Sequence, residues 1–205
     1  GIEKSVEGGR PFSVITTLYG PPAWMTKQKT FRGRDLDTNL KYELAEYMVS
    51  WVKYLKENNF PVQYLSLHNE GEDYKRWAAD GRTDKWTHDY NLYWPPEQVV
   101  DFLEFMPGFM EKHGLAGVGL TPGETSTWFR LTINFRAPKP TSYATAIASH
   151  PVVLDNTSLL TSHSFWKPGS DGTDFLKTRD FKWGNHQELK ARKTSLSWKK
   201  RGTGF

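Results

Sequence analysis

The residues best suited to acid–base chemistry in this sequence are Asn69 and Glu70, which directly follow a short apolar segment. That segment, residues 62–68 with the sequence V-Q-Y-L-S-L-H, is β-prone, too short for an ordinary helix and preceded by Pro61. A buried strand that ends in an amide and a carboxylate presents both where α/β barrels carry their chemistry. Glu70 is therefore a candidate general acid/base, and Asn69 a candidate for orienting a substrate. The alternative interpretation of this segment alone is a strand ending in a solvated glutamate.

Strands and helices that alternate along the chain are needed to bring other residues beside Glu70, and the sequence predicts them. Short β-prone segments predict strands at residues 12–18, 62–68, 117–120 and 158–162, and a fifth at 194–198. Alternation with helices indicates parallel strands joined by right-handed crossovers. The predicted fold class is α/β, of the parallel (β/α) TIM-barrel type.

The helices between these strands are predicted from hydrophobic spacing. The predicted apolar face of the first helix consists of Leu40, Leu44, Tyr47, Met48, Trp51 and Leu55. A second helix should begin near Pro96 and end near Gly114, and Pro107 inside it predicts a kink or a break. Weaker patterns predict helices at 143–148 and 175–193.

Polar and aromatic residues follow the predicted strands at similar positions. They are Trp24, Glu70, Glu124, His163 and Trp166. Because the carboxyl ends of parallel strands lie at one edge of a sheet, these residues should share one active face. Glu124 is the only carboxylate at a neighbouring strand end that could partner Glu70. Its alternative role is a hydrogen bond to the adjacent loop.

Composition excludes several classes of function. The chain has 205 residues, of which 37% are hydrophobic and 15% aromatic, which fits one globular domain over residues 1–205. It has no Cys, so disulfides and thiolate chemistry are excluded. No apolar run approaches about 18 residues, so no membrane span or membrane partner is predicted.

His68 and Glu70 are possible metal ligands, because they should face the same way on an extended segment. Without a third ligand at a recognisable spacing, neither a metal nor another cofactor is predicted.

The net charge of +4 is unevenly distributed. Residues 167–205 contain ten Lys and Arg against four Asp and Glu, and many turn-forming residues. This basic C-terminal segment is expected to be less regular than the rest and to supply no catalytic carboxylate. The sequence has no RNA-binding signature or glycine loop, so no nucleic-acid partner is predicted.

The nine Trp residues suit a cleft in which sugars stack on aromatic rings, although some of these residues must fill the core.

Four segments, taken in order, resemble the retaining (β/α)8 glycoside hydrolases of clan A, most closely glycoside hydrolase family 30. They are Y-G-P-P-A-W-M at 19–25, L-S-L-H-N-E at 65–70, W-P-P-E-Q-V-V-D-F at 94–102 and S-H-S-F-W at 162–166. The resemblance spans roughly residues 12–166. It implies a hydrolase of β-linked glycans, hence a carbohydrate substrate, and it implies secretion, although no signal peptide is recognisable in this sequence.

The resemblance also implies roles for individual residues. Glu70 would be the acid/base, and Asn69 would contact the 2-hydroxyl of the sugar. Trp24 and Trp166 would line the subsite where the bond breaks. His68 and His163 would belong to the substrate-binding set. Retaining hydrolysis needs two carboxyl groups about 5–5.5 Å apart, one of them protonated.

The sequence departs from the family pattern at the nucleophile. In family 30 a glutamate ends the seventh strand, yet the matching segment 194–198 contains no carboxylate, and Glu188 is the only glutamate after Glu124. The sequence accounts for about five of the eight β/α units of a barrel. An incomplete barrel exposes sheet edges, so association of copies into a homo-oligomer is expected.

Two further functions remain open from the sequence. The chain could be a non-catalytic sugar-binding remnant of such a barrel, using aromatic platforms at Trp24, Trp77, Trp86, Trp94 and Trp166. It could also be an esterase-type hydrolase with a serine activated by His163 or His68. The sequence lacks the G-x-S-x-G motif that would support the esterase.

Overall fold

A computed structural model describes residues 8–9, 12–82, 90–134 and 137–163 of the chain. Its strands are β1 (Val14–Thr17), β2 (Val62–Ser66), β3 (Gly119–Thr121), β4 (Glu124–Thr125) and β5 (Thr161–Ser162). Its α-helices are α1 (Lys41–Glu57), α2 (Pro96–Lys112), α3 (Trp128–Thr132), α4 (Tyr143–Ala148) and α5 (Pro151–Asn156). Short 3₁₀ turns occupy Ala23–Met25 and Thr38–Leu40. The predicted helix at 175–193, the strand at 194–198 and the basic segment 167–205 lie outside the described residues.

The described strands form one parallel sheet in the order β1, β2, β3 with β4, then β5. β1 pairs with β2, β2 with β3, and β4 with β5, all in parallel. A bridge between Asn69 and Glu124 continues the register of β2 with β3, and a bridge between Leu120 and Thr157 continues that of β4 with β5. β3 and β4 are thus two parts of one strand, interrupted at Pro122 and Gly123. The prediction of an α/β fold with parallel strands is confirmed, and within the described residues the sheet is open.

Helix α1 is where the sequence predicts, but part of its predicted buried face is wrong. The side chains that it buries are Leu44, Ala45, Met48, Val49 and Val52. Tyr47 and Trp51 are instead 46% and 52% exposed. Both side chains lie just outside the buried face of the helix. At the border of that face, hydrophobic spacing alone cannot tell a buried position from an exposed one.

Helix α2 runs unbroken from Pro96 to Lys112 with Pro107 inside it, so the predicted break does not occur. A proline lacks the N–H that would bond the carbonyl four residues earlier, here that of Leu103. The side-chain amide of Asn156 donates to this carbonyl at 2.9 Å. A residue at the end of α5 therefore satisfies the acceptor that Pro107 leaves open.

The core lies between the sheet and the helices, and its largest fully buried side chains include Trp94, Phe102, Leu65, Leu67 and Leu103. Nearly continuous apolar strands are typical of parallel sheets that are covered by helices. Across the described ranges, no helix is both long enough and apolar enough to cross a membrane. Polar residues gather outside this core, at the carboxyl edge of the sheet.

Candidate functional site

Three strand ends bring Glu70, Glu124 and His163 together. His163 Nδ1 lies 2.9 Å from Oε1 of Glu70, and His163 Nε2 lies 3.1 Å from Oε2 of Glu124. The β1 residue Thr17 donates its hydroxyl to Oε1 of Glu124 at 2.6 Å. With Arg76, described below, these residues form what we call the strand-end cluster. The sequence correctly predicts that Glu70, Glu124 and His163 lie at one edge of the sheet.

The backbone around Glu70 fixes the direction of its side chain. Its N–H donates to the carbonyl of Glu124 at 2.6 Å, and the N–H of Glu124 donates to the carbonyl of His68 at 2.7 Å. Glu70 itself has a left-handed φ of 47°. A residue without glycine's freedom costs about 1–3 kcal/mol in this region, and such residues concentrate at functional sites. The bent backbone turns the buried carboxylate toward the neighbouring strand ends.

Arg76, which no sequence pattern singles out, binds the second oxygen of Glu70. Its Nη1 lies 2.8 Å from Oε2, and the Glu70 side chain is only 5% exposed. A cation therefore contacts each oxygen of this carboxylate, Arg76 on one and His163 on the other. A basic residue six positions after a strand-end acid is too weak a sequence signal to have singled it out.

The pKa values of the cluster follow from these contacts. Hydrogen bonds to Glu124 and to Glu70 raise the pKa of His163 to about 9, against the opposing effect of burial. For Glu70, burial favours the neutral acid, but the hydrogen bonds from His163 and Arg76 outweigh it and lower the pKa. At neutral pH the cluster thus holds an ionised Glu70 and a protonated His163. A general acid needs the opposite, a carboxyl whose pKa is raised.

Asn69 is buried and is held by a second asparagine that the sequence did not indicate. Its side-chain nitrogen donates to Oδ1 of Asn91 at 3.3 Å, and its backbone N–H donates to the carbonyl of Leu18 at 3.0 Å. Asn91 is fully buried. The orienting role predicted for Asn69 remains a prediction.

His68 lies behind the site rather than in it. Its side chain is buried between the rings of Trp94 and Tyr143, with ring centroids at 5.8 and 5.3 Å. Nδ1 accepts the N–H of Gly71, and burial lowers the pKa of His68 to about 3, so the ring is neutral. A Cβ at Gly123 would lie 2.3 Å from this ring. This packing supports the strand end and does not favour the substrate contact predicted for His68.

The predicted aromatic platforms separate into exposed and buried residues. Trp24 follows the carboxyl end of β1 and is 52% exposed. Trp77 and Trp94 are 3% and 0% exposed, so the prediction that they stack on a sugar is wrong. They were misassigned because a core tryptophan and a platform tryptophan look alike in sequence. Trp86 and Trp166 lie outside the described residues.

A second buried carboxylate, Glu72, lies just beyond Glu70 and was also missed. Its Oε1 accepts the backbone N–H of Ser126 at 3.1 Å, the Ser126 hydroxyl, and Nη1 of Arg130 at 3.2 Å. We call these three residues the Glu72 cluster. It ties the loop after β2 to the loop after β4. In the part of the chain that the structure describes, no group of three or more His, Asp and Glu side chains is arranged to hold a metal ion.

Comparison with known proteins identifies solved structures whose fold is similar to that of this chain. No protein-family model matches the sequence, and no curated protein matches it either. Among solved structures, the chain is similar to a family 30 subfamily 8 xylanase from Clostridium acetobutylicum, with a TM-score of 0.57 and 21% identity. The similarity covers 81% of this chain and 36% of the xylanase. The resemblance to family 30 is confirmed at the level of the fold.

Two other xylanases extend this comparison. A family 30 endoxylanase from Clostridium papyrosolvens C71 has a TM-score of 0.51 and 19% identity over 80% of this chain and 35% of its own. The catalytic domain of a family 30 xylanase from Talaromyces cellulolyticus has a TM-score of 0.60 and 14% identity, with the same coverage. The chain thus spans about a third of the length of these xylanases. The fold is TIM-barrel-like.

Proposed function

We propose that this chain carries the acid/base half of a glycoside hydrolase site for β-linked glycans, xylan among them, with Glu70 as the general acid/base. The observation that carries the proposal is the position of Glu70. It is buried at the carboxyl end of β2, inside a xylanase-like sheet, and it lies within hydrogen-bond distance of a strand-end histidine. Carboxyl ends of parallel strands are where such barrels carry out chemistry.

The other site residues take roles around Glu70 in this proposal. Asn69 hydrogen-bonds the sugar next to the scissile bond, with Asn91 fixing its amide. Trp24, which follows β1 and is 52% exposed, stacks on the sugar, and the same role is assigned to Trp166. His163 stores the proton, because its raised pKa keeps it protonated at neutral pH. Transfer of that proton from Nδ1 to the Glu70 carboxylate produces the neutral acid and a neutral imidazole.

The nucleophile is assigned outside the strand-end cluster. The imidazole of His163 stands between Glu70 and Glu124 and contacts both, so it fills the gap where a sugar carbon would lie between acid and nucleophile. Glu124 is therefore better suited to hold His163 than to attack a sugar. We infer that the chain provides about five units of a barrel, and that a second copy or residues outside the described ranges provide the second carboxylate that retaining chemistry needs.

A sugar-binding protein without catalysis is the second candidate, and one observation favours it. Both oxygens of Glu70 already accept hydrogen bonds from cationic side chains, which suits an ionised anchor better than a proton donor. The esterase gains no such support. Both ring nitrogens of His163 contact carboxylates, and His68 is packed between aromatic rings.

A panel of substrates separates these functions. We would assay aryl β-xylosides, xylo-oligosaccharides and aryl esters with the unmodified chain, with Glu70→Gln, and with the exposed control Glu111→Gln. A positioned acid/base contributes about 10²–10⁴-fold to rate, so Glu70→Gln should lose that much glycosidase turnover while the control loses none. Calorimetric binding of xylo-oligosaccharides without turnover in any protein would identify the sugar-binding function. Full glycosidase activity in Glu70→Gln would remove Glu70 from the mechanism.

A further inference from the structure

The turn that carries Arg76 is held rigidly on both sides of this residue. The N–H of Arg76 donates to the carbonyl of Asp73, and the N–H of Lys75 donates to Oδ1 of Asp73, each at 3.0 Å. The next residue, Trp77, is buried, and the Arg76 guanidinium lies over its ring at 5.5 Å. Tyr74 packs edge-on against Tyr93, with ring centroids 5.1 Å apart. Arg76 is therefore positioned by the fold and is not a mobile surface charge.

The contact with Glu70 has a chemical consequence that goes beyond charge neutralisation. A guanidinium has five N–H donors and no acceptor. A proton on Oε2 of Glu70 would point at a donor, because Nη1 of Arg76 lies 2.8 Å away. Oε1 already faces His163 Nδ1 at 2.9 Å. In this arrangement neither oxygen is available to hand a proton to a substrate.

We propose that Arg76 gates Glu70: it is a positioning residue that holds Oε2 as an acceptor, and its guanidinium must leave Oε2 before Glu70 can protonate a leaving group. This inference rests on the proposed function for the role of Glu70 as an acid. Among the residues that the structure describes, the charged groups that face Glu70 are Arg76 from the turn, His163 after β5, and Glu124 of β4 through the ring of His163. A substrate that displaces Arg76 would release Oε2 at the moment of binding.

Carboxyl-carbon NMR on selectively labelled glutamate tests the gate without requiring turnover. The Glu70 signal is assigned by its loss in Glu70→Gln and is followed against pH in the full chain. We expect it to titrate at lower pH than the exposed glutamates, and to move to higher pH in Arg76→Gln, where the charge is lost. Arg76→Lys should restore most of the original midpoint. Arg82→Gln is the matched control, because Arg82 lies six residues further along the chain, is exposed and pairs with Asp80.

Each result decides something. An unchanged Glu70 midpoint in folded Arg76→Gln overturns the gate. The gate is also overturned if Glu70 in the unmodified chain titrates together with the exposed glutamates. This second measurement does not depend on the folding of any variant. If the chain turns over a glycoside, Arg76→Gln should also move the basic limb of the kcat/KM profile, where the general acid loses its proton, to higher pH, and an unmoved limb would overturn the gate. Absence of turnover alongside the expected NMR shifts would refute the proposed hydrolase but leave the hold of Arg76 on Glu70 established.

Discussion

Glu70 and Glu72 are buried carboxylates two residues apart, yet their partners give them different properties. The partners of Glu70 include His163, whose charge changes within an accessible pH range, and the cluster reaches three further strand ends. Glu72 is held instead by the Ser126 hydroxyl and the Arg130 guanidinium, and neither of these partners is an imidazole. Burial alone therefore does not mark a reactive carboxylate. A titratable partner distinguishes the strand-end cluster, while the Glu72 cluster is a structural tie between two loops.

The largest expected effect on stability comes from breaking the Glu72 cluster. In Arg130→Met the Glu72 side chain, 2% exposed, loses the cation that Arg130 supplies. Breaking a buried pair from one side costs about 3–5 kcal/mol of unfolding free energy. Urea unfolding measures this loss.

Lys139→Met is the matched control, because Lys139 and its partner Glu97 are exposed. Exposed pairs contribute about 0–1 kcal/mol, so this variant should unfold close to the unmodified chain. Equal losses in Arg130→Met and Lys139→Met would show that the Glu72 cluster is not a structural tie.

The stability that the strand-end cluster contributes should instead depend on pH. The folded pKa of His163 is raised from 6.5 to about 9, so its contribution is fully present below pH 6.5 and is lost as the pH rises through about 9. A rise of this size corresponds to about 3 kcal/mol. Thermal or urea unfolding between pH 6 and 10 should therefore show stability falling across this window.

The variant His163→Gln should abolish that fall, since it removes the titrating ring. His150→Gln is the control, because His150 is exposed and precedes α5. On the acid side the same contacts act through Glu70, whose lowered pKa makes its contribution fade as the pH falls through the folded value. A stability profile that is flat from pH 6 to 10 in the unmodified chain would contradict the contacts of His163 with Glu70 and Glu124.

The strand-end cluster could be predicted from sequence largely because each member directly follows a β-prone segment. Glu70, Glu124 and His163 are adjacent in space because parallel strands end at one edge, and that rule needs no knowledge of side-chain contacts. Arg76 and Asn91 follow no such rule. They lie in the long excursion after β2, and their approach to Glu70 and Asn69 depends on how that loop packs.

Helix boundaries and burial show the same division between local pattern and tertiary packing. The bounds of α1 and α2 follow from spacing and from Pro96, but α3, only five residues long and capped by Thr127, was missed. The tolerance of Pro107 was also unpredictable, because it depends on Asn156 of a distant segment. Sequence patterns cannot supply contacts that only the assembled fold creates.

The smallest expected effects come from single hydroxyls, and they sharpen the comparison of the two clusters. Ser126→Ala removes a donor from the fully buried Glu72, where water cannot replace it. Thr17→Val removes a donor from Glu124, whose side chain is 18% exposed and can recruit water. Hydrogen bonds to charged groups contribute about 1.5–3 kcal/mol, so Ser126→Ala should lie near the upper value and Thr17→Val near or below the lower one. Both are read from urea unfolding at pH 7, with Thr38→Val as an exposed control. A larger loss of unfolding free energy in Thr17→Val than in Ser126→Ala would contradict the expectation that hydroxyl donors stabilise the Glu72 cluster more than the strand-end cluster.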